Sequence, residues 1–173
     1  MIPAPEPRPA RPQQPAPSGR SWTLHAVRTA LAAGLSMALA TALGVPDPYW
    51  SPITTIIVTQ SGVADSWLIS RRRLLGTLLG VTIGALQVLL LPKGVLSYAL
   101  AILLLGLVCG FSRIHQSAYR FGGIALTIVV TAAPGDAVWR MALFRFVDVA
   151  IGIGVALAIT RLWPEAVPPG EPR

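Results

Sequence analysis

Arg145 and Asp148 stand three residues apart inside an otherwise apolar run, Met141 to Leu162. Residues three apart in a helix share a face. A charge at membrane depth costs about 2.5–3.5 kcal/mol on insertion scales, so such residues turn toward a bundle interior or a wet cavity. Two chemistries suit the pair. As a structural ion pair, each side chain cancels the other's cost. As a functional pair, the arginine holds a carboxylate substrate and the aspartate takes up and releases a proton. A second polar group falls in a short run from Tyr49 to Ala64, which carries Ser51, Thr54, Thr55, Thr59 and Gln60. Hydroxyls and an amide at this density suit hydrogen bonding between helices or a water path. Arg28, one turn into the first run, and Arg120, at the start of the fifth, are placed to reach back to headgroups. The candidates for a substrate or proton pathway are Arg145, Asp148, Gln60, Thr59 and Arg28.

A different chemistry, close packing, is written in the glycines. Gly76, Gly80 and Gly84 recur every fourth residue, and Gly106 and Gly110 repeat that spacing in the next run. Small residues at this interval form a groove where two helix backbones approach, which drives association in lipid. No nucleophile triad, paired catalytic carboxylates, phosphate loop or metal spacing occurs in the sequence, so neither enzymatic activity nor a cofactor is expected. Cys109 is the single cysteine and reads as a small apolar packing residue.

The elements that must position these residues follow from composition. Of 173 residues, 53% are hydrophobic and 12% are charged, about half the charge of an average soluble domain. The apolar residues fall in six runs: 24–45, 49–64, 74–91, 95–111, 118–133 and 141–162. Runs of this length call for a bilayer, although the second and fifth fall short of the roughly 20 residues a span needs. Pro46-Asp47-Pro48, Pro92-Lys93-Gly94 and Pro134-Gly135-Asp136 break the chain between runs.

Charge sets the orientation. With six spans and an inner N-terminus, the cytoplasmic side holds eleven arginines: 8, 11, 20, 28, 71, 72, 73, 113, 120, 161 and 173. The outer side holds only Lys93 and Arg140. This is the asymmetry of the positive-inside rule, and it accounts for the net charge of +7 without nucleic-acid binding. Tyr49, Trp50, Tyr98 and Trp139 fall at the outer border and Trp22, Trp67, Tyr119 and Trp163 at the inner one. The first run reads as a span and not a cleaved leader, because the second run needs a partner to orient it. The expected architecture is all-α: a six-helix transmembrane bundle over residues 21–164, with a proline-rich tail at 1–20 and a short tail at 165–173, both cytoplasmic.

The segment Tyr49-Trp50-Ser51-Pro52-Ile53-Thr54-Thr55-Ile56-Ile57-Val58-Thr59-Gln60 resembles the second helix of the fusaric acid resistance protein-like transporters, which are related to aromatic acid exporters. Arg72-Arg73-Leu74-Leu75-Gly76-Thr77-Leu78-Leu79-Gly80 is similar to their arginine, Gly-Thr and glycine pattern, and Arg145 through Asp148 and Gly152 to Trp163-Pro164 looks like their last membrane helix. The resemblance covers about Arg20 to Pro164. It implies a six-helix unit that exports small aromatic or other organic acids across the plasma membrane. Larger members of that family carry two such units and a cytoplasmic domain, so a homo-oligomer is the expected assembly of one unit. The competing expectation is a membrane interaction subunit that transports nothing itself.

Overall fold

The computed structural model describes residues 19–59, 63–132 and 137–163. Gln60, Asp136 and both proline-rich tails lie outside them. Among the described residues all regular structure is helical: α1 Gly19–Ala42, α2 Trp50–Val58, α3 Val63–Leu90, α4 Val95–Phe111, α5 Gln116–Ala132 and α6 Val138–Leu162. Three of these, over Trp22–Ala42, Val63–Leu90 and Val138–Leu162, are long and apolar enough to cross a membrane. This is a membrane protein. α4 and α5 have 17 residues each, about 25 Å of helix.

The ends of the helices follow local chemistry. α1 closes on Gly44 at φ 66°, where Gly44 N donates to Thr41 O at 3.0 Å and Val45 N donates to Ala40 O at 3.1 Å. This crossed pair satisfies the last carbonyls of a helix and favours glycine at the left-handed position. α4 ends in the same way, with Arg113 N donating to Gly110 O and Ile114 N to Cys109 O. Arg113 takes the left-handed position there, at φ 51°.

α2 and α3 depart from the expected runs 49–64 and 74–91. With that third run starting at Leu74, Arg71, Arg72 and Arg73 are expected in a cytoplasmic loop before it. In the structure α3 begins at Val63 and runs 28 residues through all three arginines. Between Val63 and Arg73 there is neither glycine nor proline to stop it, and Ser70 Oγ bonds back to Ser66 O at 2.7 Å. Helical rotation then separates the three arginines: Arg71 is exposed, Arg72 half-buried and Arg73 buried. α2 is correspondingly short, with nine residues, about 13 Å, and Thr59 beyond it has turned to extended backbone.

The helices alternate in direction. Gly76 faces Ala118, Gly80 faces Gly122 and Gly84 faces Leu126, so α3 and α5 run parallel. A Cβ on Gly76 or Gly80 would collide with the carbonyl oxygen of Ala118 or Gly122, which is why this pair packs more closely than any other. α4 runs against α5: Gly106 meets the Tyr119 ring and the Tyr98 hydroxyl meets Thr127 Oγ1 at 2.9 Å. A Cβ on Gly110 would meet nothing within 4 Å among the described residues, so the expected packing groove on α4 does not extend to it. α6 runs against α3. Val81 and Ala85 share a core with Ala142 and Val138, while Ile69 and Leu74 pack with Val149, Ile153 and Leu157.

Candidate functional site

α2 lies along α6 in the same direction. Thr55 Oγ1 donates to Gly152 O at 3.1 Å, and Gly152 leaves no room for a Cβ against Ser51 O and the Thr54 side chain. The first residue of α2, Trp50, therefore sits beside Arg145, the eighth residue of α6, about 10 Å down that helix. Trp50 is half-buried and turns inward from the start of α2. Its ring lies under the Arg145 guanidinium, with Cζ 4.1 Å from the centroid.

A second arginine arrives from α3. Arg73 lies three residues before Gly76 and so shares the face of the glycine row that turns toward α5. Its Cζ stands 4.9 Å from the Phe121 centroid and its Nε donates to Thr54 Oγ1 at 3.2 Å. Thr54 Oγ1 in turn donates to Trp50 O at 3.1 Å. The two arginines, with Trp50, Thr54, Thr77 and Phe121, line a cavity of about 20 Å³, room for about one water. Trp50, Ile124 and Ile128 also line an open groove of about 470 Å³, together with Arg120, Gly123 and Thr127. The inner cavity is thus the floor of a wider cleft between α2 and α5.

The electrostatics of the floor are unbalanced. Arg145 is 6% exposed, Arg73 6% and Asp148 1%. Arg73 Nη1, Arg145 Nε and Nη1, and Asp148 Oδ1 are all buried without a hydrogen-bond partner among the described residues. The expected ion pair between Arg145 and Asp148 is therefore not closed through those atoms. Buried charges are normally paired, and a forked guanidinium with free N–H groups matches a carboxylate. Two guanidinium groups, each against an aromatic ring, thus face a space for about one water.

The predicted site residues separate. Arg145 and Asp148 are at the floor. Thr59 lies beyond the C-terminal end of α2, where its hydroxyl donates to Thr55 O at 2.7 Å. Gln60 is outside the described residues. Arg28 is 1% exposed, so it does not reach out to headgroups. Its Nη1 donates to Trp163 O at 3.1 Å, eighteen residues from Arg145 and thus about 27 Å along α6. It closes the end of α6 and is remote from the floor. Arg73, Trp50 and Phe121 were missed as site residues. For Arg73 a signal existed, since it continues the row Gly76, Gly80, Gly84 by one turn. For Phe121 none did.

The fusaric acid resistance protein-like family matches residues 35–159. The chain belongs to that family. The matched span contains Trp50, Arg73, Phe121, Arg145 and Asp148 and excludes Arg28. Within the family the chain is 30% identical over 152 residues to the inner membrane protein YeeA of Escherichia coli, covering 82% of this chain and 41% of that protein. It is 28% identical over 145 residues to an uncharacterized protein of Haemophilus influenzae, covering 82% of this chain and 20% of the other. It therefore spans less than half the length of these curated relatives. No solved structure matches it.

Proposed function

We propose that this family member is a transporter subunit that exports small organic anions, aromatic acids among them, across the inner membrane. In this reading all six helices belong to the crossing bundle and both termini are cytoplasmic. The observation that carries it is the floor of the cleft: Arg73 and Arg145, each stacked on an aromatic ring, hold three guanidinium nitrogens without a hydrogen-bond partner among the described residues below an open groove of about 470 Å³. A permanent counter-ion would leave no orphan donors. A transient one, supplied by a carboxylate or sulfonate, fits a site that must bind and release. The apolar walls Trp50, Ile124 and Ile128 suit the flat body of such an anion, and the floor suits its charge. The groove opens on a helix face, where Arg120 would otherwise meet lipid. A second copy of the chain is the assembly that covers it at least cost in desolvated charge, which supports a homo-oligomer.

The test is ligand-dependent thermal unfolding of the purified protein in detergent, with benzenesulfonate as the probe because it stays ionised and does not cross lipid unaided. At about 100 times its dissociation constant the probe should stabilise the wild type by about 2.7 kcal/mol. Arg73→Gln and Arg145→Gln should each lose that shift, while Arg71→Gln, on the exposed face, keeps it. Equal shifts in all four proteins would remove the site.

A further inference from the structure

Charge and size are both mismatched at the arginine floor. Arg73 of α3 and Arg145 of α6 line one cavity of about 20 Å³, room for about one water. Each guanidinium lies against an aromatic ring, Phe121 for Arg73 and Trp50 for Arg145. Stacking covers a face of the guanidinium and leaves its N–H groups, which lie in its plane, to bond sideways. Arg73 Nε donates to Thr54 Oγ1. Arg73 Nη1, with Nε and Nη1 of Arg145, is buried without a hydrogen-bond partner among the described residues. Among those residues no acidic side chain lines the cavity. Asp148 is one turn along α6 from Arg145, and its buried Oδ1 bonds neither arginine. Asp47 acts on Arg145 from the α1–α2 turn, but it is exposed, and solvent screens its charge. Two buried cations against one buried carboxylate leave one positive charge uncompensated, and burial of a bare charge is costly.

We infer that the cavity between Arg73 and Arg145 is a binding site for a chloride-sized monoanion. Size decides this. A carboxylate or sulfonate head is several atoms across and cannot enter whole a space for about one water. Chloride is a single atom little larger than water, and it accepts N–H bonds from any direction. It supplies the one negative charge that the floor lacks, and its bonds to the guanidinium groups are charge-assisted. Water of the same size could accept from the arginines but would leave the charge uncompensated. A consequence for transport rests on reading the cleft as an organic-anion site. Trp50, Ile124 and Ile128 border both the cavity and the wider groove, so the head of an organic anion lying in the groove meets the same guanidinium groups at the mouth of the cavity. The two anions then compete for one set of donors. Chloride leaves as the organic anion arrives, and its concentration sets the apparent affinity of the cleft.

The experiment uses the purified full chain in detergent, with sodium chloride or bromide exchanged for sodium gluconate at constant ionic strength. Gluconate is too large for the cavity, and its hydroxylated body does not suit the apolar groove. Chloride and bromide should each raise the melting temperature along a saturating curve. Arg73→Gln and Arg145→Gln should each raise the half-saturating chloride concentration at least about tenfold, while Arg71→Gln matches the wild type. Chloride at about ten times its dissociation constant should weaken apparent benzenesulfonate binding about tenfold. Anomalous scattering from crystals of the wild type grown in bromide should place one ion between the two guanidinium groups, a readout that does not depend on the variants folding. Melting indifferent to chloride, or bromide bound only elsewhere, means that water fills the cavity; it overturns the halide site and leaves the organic-anion reading standing. A chloride response in folded Arg73→Gln and Arg145→Gln equal to that of the wild type also overturns the site. Benzenesulfonate binding that ignores chloride overturns the competition. A protein that responds to chloride and not to benzenesulfonate keeps the halide site and overturns the organic-anion reading.

Discussion

The guanidinium of Arg145 stacks on the ring of Trp50, the first residue of α2, at 4.1 Å. The contact fixes the head of a nine-residue helix to a position about two turns inside α6. Cation–π pairs that are largely desolvated contribute about 2 kcal/mol. Trp50→Ala should therefore lower unfolding stability in detergent by about 1–2 kcal/mol, and Trp50→Phe should recover most of it. Equal melting of the alanine variant and the wild type would mean that the stacking holds nothing.

Close approach of α3 and α5 makes a sharp contrast among glycines. Gly80→Ala places a Cβ on the Gly122 carbonyl oxygen, and neither backbone can yield without separating the helices. Loss of folded protein, or destabilisation by several kcal/mol, is the expected outcome. Gly110→Ala meets nothing within 4 Å and should be neutral or stabilising by about 0.5–1 kcal/mol, since alanine is the better helix residue. Expression and detergent melting of the two variants decide it.

Asp148→Asn separates a working carboxylate from a structural one. Because Oδ1 has no hydrogen-bond partner among the described residues, the variant should accumulate in the membrane and melt within about 1 kcal/mol of the wild type. Transport should be lost. Should the variant fail to accumulate, and an added Arg145→Gln rescue it, the two residues form a structural ion pair and the functional reading is wrong.

Arg28 is expected to matter for stability and not for the anion. Its guanidinium bonds the carbonyl of Trp163 at the C-terminus of α6, the end where a cation is favoured. Arg28→Gln should cost about 1–2 kcal/mol while the benzenesulfonate shift persists. Loss of that shift in a folded Arg28→Gln protein would extend the anion path to the inner end.

Topology is open to labelling. In a Cys109→Ala background, Asp47→Cys and Lys93→Cys should react with an impermeant maleimide from outside intact cells, and Arg113→Cys only after the membrane is opened. Reaction of Arg113→Cys from outside would reverse the orientation drawn from the arginine count.

The membrane class, the all-helical build and four of the six helix positions were legible in the chain because they depend on local patterns. Apolar runs need lipid, glycine and proline end helices, and α4 occupies the run 95–111 that composition marks out. α2 and α3 were misdrawn for one reason: a cluster of arginines looks like a loop when charge is read without periodicity. The helix rotates by 100° per residue, so Arg71 and Arg73 face different surroundings, and the polar Arg71–Arg73 segment needs no break.

Spacing alone places Arg145 and Asp148 within a largely apolar helix and Gly76, Gly80 and Gly84 on one face. What those faces meet depends on the packing of distant segments. Arg73 comes to Thr54 across nineteen residues, and Thr55 to Gly152 across ninety-seven. The stacking of Arg73 on Phe121 and of Arg145 on Trp50 depends on how far each helix slides along its neighbour. That register is set by side-chain and backbone packing between segments distant in the chain, above all by the carbonyls of Ala118 and Gly122 seated on Gly76 and Gly80. Periodicity within a single helix carries no record of it.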